Sequence, residues 1–138
     1  MSENTSPAAV MDRITEIVSG SGAGYRVSHQ AFDFEQWSAL GDRVFQVTPG
    51  DFERERISRG CVEYERTFVV TVVFAVKDRS QHRTFIDKAL DEEQEIASQL
   101  DAAIFINGVR GSYSQSPDGA WVVLRLSIAT EFSVAAGG

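Results

Sequence analysis

Few residues of this 138-residue chain have the types and spacing that catalysis requires. Cys61 and His82 could act as a nucleophile and its general base if the fold brought them together. No accompanying motif supports the pairing, and a predicted strand lies between the two residues. We therefore interpret Cys61 as a small buried thiol and His82 as a residue at the start of a helix.

A metal site is the second kind of chemistry to consider. His29, Asp33 and Glu35 carry side chains that bind metal ions, but their spacing matches no standard site. With a single cysteine, the chain has no cysteine-based metal framework and forms no intrachain disulfide. We expect neither a metal nor another cofactor.

An acidic group is the densest cluster of titratable residues. Three of its members recur every four residues and so share one face of a predicted helix. Paired carboxylates perform acid–base catalysis only when burial separates their pKa values, whereas a face this acidic is typical of a hydrated surface. The members are Asp87, Asp91, Glu92 and Glu95. We expect the protein not to be an enzyme.

Charge and composition exclude other classes. The formal net charge is −7, which disfavours nonspecific binding to nucleic acid or to anionic lipid because both need a surplus of Lys and Arg. No segment approaches the ~20 consecutive apolar residues of a membrane-spanning helix. The apolar and charged fractions are those of a globular chain, and the length predicts one domain over residues 1–138, with flexible ends at 1–6 and 135–138. We expect a protein of the cell interior that binds no membrane.

The elements that position these residues are led by one strand of unusual length, Val62–Lys77. Its even positions other than Arg66 are apolar and most of its odd positions are polar, which is the period of a half-buried strand. At ~3.3 Å per residue it would extend ~50 Å. A compact chain of this length has a diameter of roughly 37 Å. The strand must therefore bend or project from the body.

The remaining elements follow from apolar periodicity and from turn residues. Asn107-Gly108 is a predicted turn, Ser116–Gly119 a predicted hairpin turn, and Tyr25–Leu40 an irregular strand or a loop under the core. The predicted helices are Pro7–Val18 and Gln81–Leu100, and the predicted strands besides the long one are Arg43–Thr48, Gly111–Gln115 and Trp121–Val134.

The charged segment Asp51–Arg59 lies between two predicted strands. Such a run is typical of a solvated loop. The alternative is an assembly loop that becomes ordered against a neighbouring subunit. Its candidate contact residues are Phe52, Arg54, Arg56 and Ile57.

Together these elements predict an α+β fold. It is a two-layer sandwich with a mostly antiparallel sheet of about four strands and two helices on one face. The even positions of the long strands should contact the helices. Apolar residues at odd positions would then lie on the other face, where either a second subunit or segment Tyr25–Leu40 covers them. They are Val69, Val73, Ala75, Trp121 and Val123.

This order of elements in a small acidic chain resembles the tail terminator (minor tail) proteins of long-tailed bacteriophages. The resemblance covers most of the chain and rests on the order of elements rather than on a short motif. The segments that carry it are Pro7–Val18, Arg43–Thr48, Asp51–Arg59, Val62–Lys77, Gln81–Leu100, and the Ser116–Gly119 turn leading into Trp121–Val134.

The resemblance implies a structural protein of the virion, assembled in the host cytoplasm. It would form a homo-oligomeric ring, a hexamer, that caps the tail tube and contacts the head-completion or connector protein, while DNA passes through without specific binding. The charged loop and the open sheet face would be the contact surfaces, and the acidic group of the second helix would be a candidate lumen face. A head–tail connector or tail-completion protein is one alternative. A small-molecule-binding or enzymatic α+β domain is another.

Overall fold

The computed structural model describes residues 7–22, 24–28, 42–58, 61–76, 79–103, 106–115 and 121–135. For residues 7, 51–58, 61–64, 79, 82 and 132–135 it describes the backbone alone. The predictions on His29, Asp33 and Glu35, on most of Tyr25–Leu40, on the Ser116–Gly119 turn and on residues 1–6 lie outside the described residues.

Helix α1 spans Pro7–Gly20, two residues beyond its predicted end. Val10, Ile14 and Val18 recur every fourth residue and are fully buried, so one stripe of the helix faces the core. The chain leaves the helix through a bond from the Ser21 amide to the Val18 carbonyl, at 3.1 Å.

Helix α2 spans His82–Asp101 and follows a single 3₁₀ turn at Arg79–Gln81. The predicted bounds differ from these by one residue at each end. Ala89, Ile96 and Leu100 face the core. No described helix is long and apolar enough to cross a membrane.

The described residues form a five-stranded sheet in the order β1-β2-β3-β5-β4. Among these strands, only the short β1–β2 pair is parallel. The class is α+β, as predicted, with one strand more than the count of about four because Arg26–Val27 joins an edge. The strands are β1 (Arg26–Val27), β2 (Val44–Ser58), β3 (Cys61–Ala75), β4 (Ile106–Gln115) and β5 (Trp121–Ala135).

The even-numbered face of β3 and β5 lies against both helices, as predicted. The two strands pair without interruption from Cys61↔Ala135 to Ala75↔Trp121, so their period-two patterns remain in phase along their whole length. The buried residues that they contribute to the main core are Phe68, Val70, Val72, Phe74, Val122, Leu124, Leu126 and Ile128.

The predicted loop at Asp51–Arg59 is wrong, because β2 continues to Ser58 and pairs with β3 as far as Ser58↔Cys61. Two register shifts, one between Pro49 and Phe52 and one between Arg54 and Arg56, break the regular alternation of β2. The shifts explain the error, since each bulge adds a residue and removes the period-two pattern by which a strand is recognised.

A further prediction is wrong for a similar reason. Asn107-Gly108 is not a turn but the bulge near the start of β4, where the register shifts between Ile106 and Gly108. Ala135, predicted as the first residue of a flexible C-terminus, is the last residue of β5 and pairs with Cys61.

Candidate assembly surfaces

The most distinctive surface is an arm made of the far ends of three strands. We define the arm as residues 52–58 of β2, 61–66 of β3 and 130–135 of β5. The last pair between β4 and β5 is Ile106↔Thr130, and β1 pairs with β2 only at Val44 and Phe45. Beyond the Ile106↔Thr130 pair, the last five residues of β5 continue for about 16 Å without a described strand on their outer side, at ~3.3 Å per residue.

The register separates the residue types of the arm between its two faces. Cross-strand partners share a face of the sheet. The even positions of β3 lie on the helix side of the sheet. In the arm, the rows of paired residues on that side include Ile57↔Val62, Val62↔Val134 and Tyr64↔Phe132. Phe52 also belongs to this side, opposite Arg66. Of the predicted contact residues, Phe52, Arg54 and Ile57 thus occupy one side of the arm and Arg56 the other.

A row of three glutamates crosses the opposite side of the arm. Glu53 pairs with Glu65, and Glu65 pairs with Glu131 on the next strand. The Asn107 amide donates a hydrogen bond of 2.8 Å to the Glu131 carboxylate. Like charges at directly paired positions repel each other. Sequence reading missed this row because its members are far apart in the chain.

The four predicted interface residues of the open sheet face differ in exposure. Val69 and Trp121 are partly exposed. Val73 and Val123, by contrast, form a cross-strand pair and are 0% and 2% exposed within the single chain. They are thus not available to a second subunit, and their assignment as interface residues was wrong.

The predicted acidic face of α2 divides into two groups. Asp87, Asp91 and Glu95 are exposed, and Asp87 accepts a hydrogen bond of 3.0 Å from the Arg83 side chain one turn earlier. Glu92 is different, because its carboxylate accepts two hydrogen bonds from Arg43, at 3.1 and 2.6 Å. Glu92 therefore holds α2 to the sheet and is not a free lumen charge.

Arg43 is the centre of a polar cluster at the start of β2. Its backbone adopts the left-handed region, with φ of 55°, which is strained for a non-glycine residue. Its carbonyl accepts a bond from the Arg26 amide at 3.0 Å, and its guanidinium lies 5.8 Å from the centre of the Phe74 ring. Sequence reading treated this position as a mere strand start, and no local motif distinguishes it.

Ionisation in this cluster is coupled. Burial of the Tyr25 hydroxyl, followed by the nearby Glu92 charge, raises the pKa of that tyrosine well above its ordinary value. The hydroxyl is buried and makes no hydrogen bond of good geometry. For Arg43, burial lowers the pKa, but its bond to Glu92 and the charges of Glu92 and Asp42 outweigh that effect and raise it. The Arg43 guanidinium therefore stays charged at neutral pH.

A cavity of about 260 Å³ opens beside this cluster. Its polar groups already bond to protein partners: Arg43 to Glu92, and the Asp42 carboxylate to the Ala75 amide at 2.9 Å. Only Lys88, on the exposed side of α2, adds a further charge to the lining. The remaining described lining residues are Phe74, Phe85 and Ala89.

Cys61 and His82 are not brought together. Cys61 begins β3, and His82 begins α2 shortly after the opposite end of β3 at Ala75. Fourteen residue steps of strand span ~46 Å. A thiol and an imidazole at these positions lie far beyond the hydrogen-bond reach that nucleophilic catalysis requires.

Comparison with known proteins gives no relative: no protein-family model matches this chain, and no curated protein matches it.

Proposed function

We propose that this protein is a structural subunit of a homo-oligomeric ring, of the kind formed by phage tail terminators. The observation that carries the proposal is the arm. Its three strands extend past the paired parts of β1 and β4, and the residues that β3 and β5 contribute to the described core begin at Phe68 on β3 and end at Ile128 on β5. A strand extension that shares no described core with a helix is stabilised when a neighbour packs on it.

The residue types of the arm favour packing against another protein. Rows of Ile, Val, Tyr and Phe on one side provide apolar contact area. The glutamates of the row on the other side repel one another and attract cations. Arg54 lies on the apolar side of the edge strand, and Arg56 lies on the glutamate side, opposite Glu63 of its own chain. At this edge a head-to-tail contact can bring an arginine of one copy to the glutamates of the next. Such a heterologous contact forms a ring when its rotation closes.

The natural partners of such a ring are the tail tube protein on one side and the head-completion or connector protein on the other. A connector or tail-completion role would use the same arm, and the identity of the bound protein separates the two. Tube protein from the same genome, polymerised with this chain, should form tubes of limited length if the terminator role is correct. Tubes that grow without limit in its presence would contradict that role.

The direct test of ring formation reverses the charge of the arm. The double variant Arg54→Glu, Arg56→Glu should abolish the ring while leaving the fold intact, because both positions lie beyond the described core. The matched control is Arg13→Glu with Arg83→Glu, which changes the net charge equally at exposed positions of the helices. Light scattering coupled to size exclusion measures the mass. Equal oligomers in both double variants would reject the arm as the contact.

The DNA path gives a second test. A lumen wall that lets a duplex slide should carry carboxylates with few compensating cations. Because Glu92 is paired with Arg43, the three residues to reverse are Asp87, Asp91 and Glu95. Their change to Lys should slow DNA ejection in low salt without affecting ring assembly. An unchanged ejection rate would place this face of α2 outside the ring.

A further inference from the structure

The two edges of the sheet differ in how they are protected against pairing. No described strand pairs with the outer side of β2 over residues 47–58, but that edge carries Pro49, two bulges and a run of charges. These features prevent the addition of another strand. Strand β4, at the opposite edge, has a single bulge near its start and lacks these protective features beyond it. From Gly108 to Gln115 its register is regular, it lacks proline, and Arg110 is its only charged residue.

An apolar patch lies beside this unprotected edge. In the described part of the chain, the large hydrophobic side chains with substantial exposure are Leu90 and Tyr113, each 40% exposed. Tyr113 lies on β4 itself. Leu90 lies one turn before Glu93 on α2, and Glu93 approaches β4 so closely that a Cβ on Gly111 would lie 2.8 Å from its carboxylate. Tyr113 lies on the same face of β4 as Gly111, since their partners on β5 are Leu124 and Leu126. Leu90 lies on the helix that approaches this face.

We propose that the outer edge of β4 pairs in antiparallel fashion with β4 of a second copy of this chain, forming a continuous sheet of both subunits. The partner is a second copy because the strand is self-complementary. With Ser112 opposite Ser112 at a two-fold axis, each Tyr113 faces the other copy's Gly111, and each Arg110 faces a Ser114. No like charges meet. An aromatic ring opposite an edge glycine fills the space that the glycine leaves.

Registers that place the axis nearer the start of β4, and registers shifted by a single residue, fit less well. A shift that places Gly111 opposite Gly111 leaves the axis without side chains. A further shift in the same direction places Arg110 opposite Arg110, where the two cations repel each other. Shifts by one residue pair the helix-side face with the open face and separate the Leu90–Tyr113 patches of the two copies. The chosen register joins the patches on one side of the sheet.

This contact goes beyond the proposed ring, because β4 and the arm's edge strand β2 lie at opposite edges of the sheet. Its test therefore uses the arm-reversed background, Arg54→Glu with Arg56→Glu, in which ring contacts are removed. Sedimentation velocity of this protein should show a reversible dimer whose share rises with concentration into the high micromolar range. A strict monomer there would overturn the β4 proposal and leave the ring proposal untouched.

A charge exchange at the axis tests the register. Ser112 is exposed, so Ser112→Lys and Ser112→Glu should both fold. Each alone should dimerise at least tenfold more weakly than the parent, and an equimolar mixture should recover the dimer. Ser98→Lys on the exposed side of α2 is the control and should change nothing. Unaltered dimerisation of either Ser112 variant, or failure of the mixture to associate, would overturn the proposal.

A cross-link gives a readout that does not depend on affinity. In a Cys61→Ser background, Ser112→Cys places two thiols at the axis, where directly opposite Cβ atoms lie about 4.5–5.5 Å apart. Mild oxidation should link the two copies rapidly. Ser98→Cys in the same background should link slowly, through collisions alone. Equal rates for the two cysteines would contradict the pairing.

Discussion

The two ends of the sheet are built from the same three strands and have opposite surroundings. In the body, from Phe68 to Phe74 of β3, one face is sealed by two helices and nearly every even position is fully buried. In the arm, β3 continues to pair with β2 and β5, but a register shift interrupts β2 between Arg54 and Arg56, and beyond Thr130 no described strand pairs with the outer side of β5. The main core includes no arm residue among those whose side chains are described. We therefore expect a neighbouring subunit to supply in the arm the packing that the helices supply in the body.

The strongest effect on stability is expected from Phe→Ala substitutions at two positions of β2, one in the body and one in the arm. Phe45→Ala removes a ring that is fully buried in the body and should lower the free energy of unfolding by about 3–5 kcal/mol. Phe52→Ala, in the arm, should cost the isolated subunit less than about 1 kcal/mol and should weaken oligomerisation instead. Urea unfolding and light scattering measure the two quantities. An equal loss of stability at both positions would mean that the arm packs as part of the core.

The next effect contrasts two acids of α2. Glu92→Gln breaks the partly buried bonds to Arg43 and should cost about 1–3 kcal/mol, because it weakens hydrogen bonds between charged groups. Asp87→Asn breaks an exposed pair with Arg83 and should cost less than about 0.5 kcal/mol. Thermal unfolding at neutral pH distinguishes them. Similar small losses would show that Arg43 does not fasten α2 to the sheet.

A smaller effect of opposite sign is expected in the arm. Glu65→Gln removes the middle charge of the glutamate row and should stabilise the free subunit by up to about 0.5 kcal/mol. The same variant should weaken ring assembly, since the row would lose part of its attraction for arginines of a neighbour. Asp91→Asn, on the exposed face of α2, is the control for net charge. If Glu65→Gln is more stable and also assembles more strongly, the glutamate row does not contribute to a contact between subunits.

The smallest effect concerns Glu93, whose pKa is raised by burial against β4. A carboxyl group with a raised pKa in the folded state stabilises the fold below its unfolded pKa, and this contribution is lost as pH rises through the folded value. Glu93→Gln should therefore be slightly more stable than the parent at pH 7, and the difference should vanish below about pH 4. Chemical unfolding at the two pH values measures it. A difference that grows as the pH falls would contradict the burial of this carboxylate.

The body of the fold could be predicted from sequence because its signals are local and regular. The two helices and strands β3 and β5 each repeat an apolar period over many residues, and their predicted bounds agree with the structure to within two residues. The end of β2 and the start of β4 could not be predicted, since bulges at both places interrupt the period and their charged or turn-forming residues are typical of loops.

The candidate surfaces were predictable only where one segment contains them. The segment Asp51–Arg59 was predicted as a loop, but the structure places residues 51–58 in a strand. Its role in assembly stays a prediction. The glutamate row and the Arg43–Glu92 pair depend on strand register and on packing across 49 residues of sequence, which a single sequence does not show. Burial of Val73 and Val123 was missed for the same reason, because it depends on what else covers their face.

Assembly through the arm is tested by the mass of the Ser112→Lys variant in solution. This variant blocks the β4 edge and leaves the arm unchanged, so any remaining association reports the arm. Light scattering at high micromolar concentration should give a single hexameric species of the 15.2 kDa chain, and electron microscopy should show it as a closed ring. A monomer under these conditions would rule out assembly through the arm.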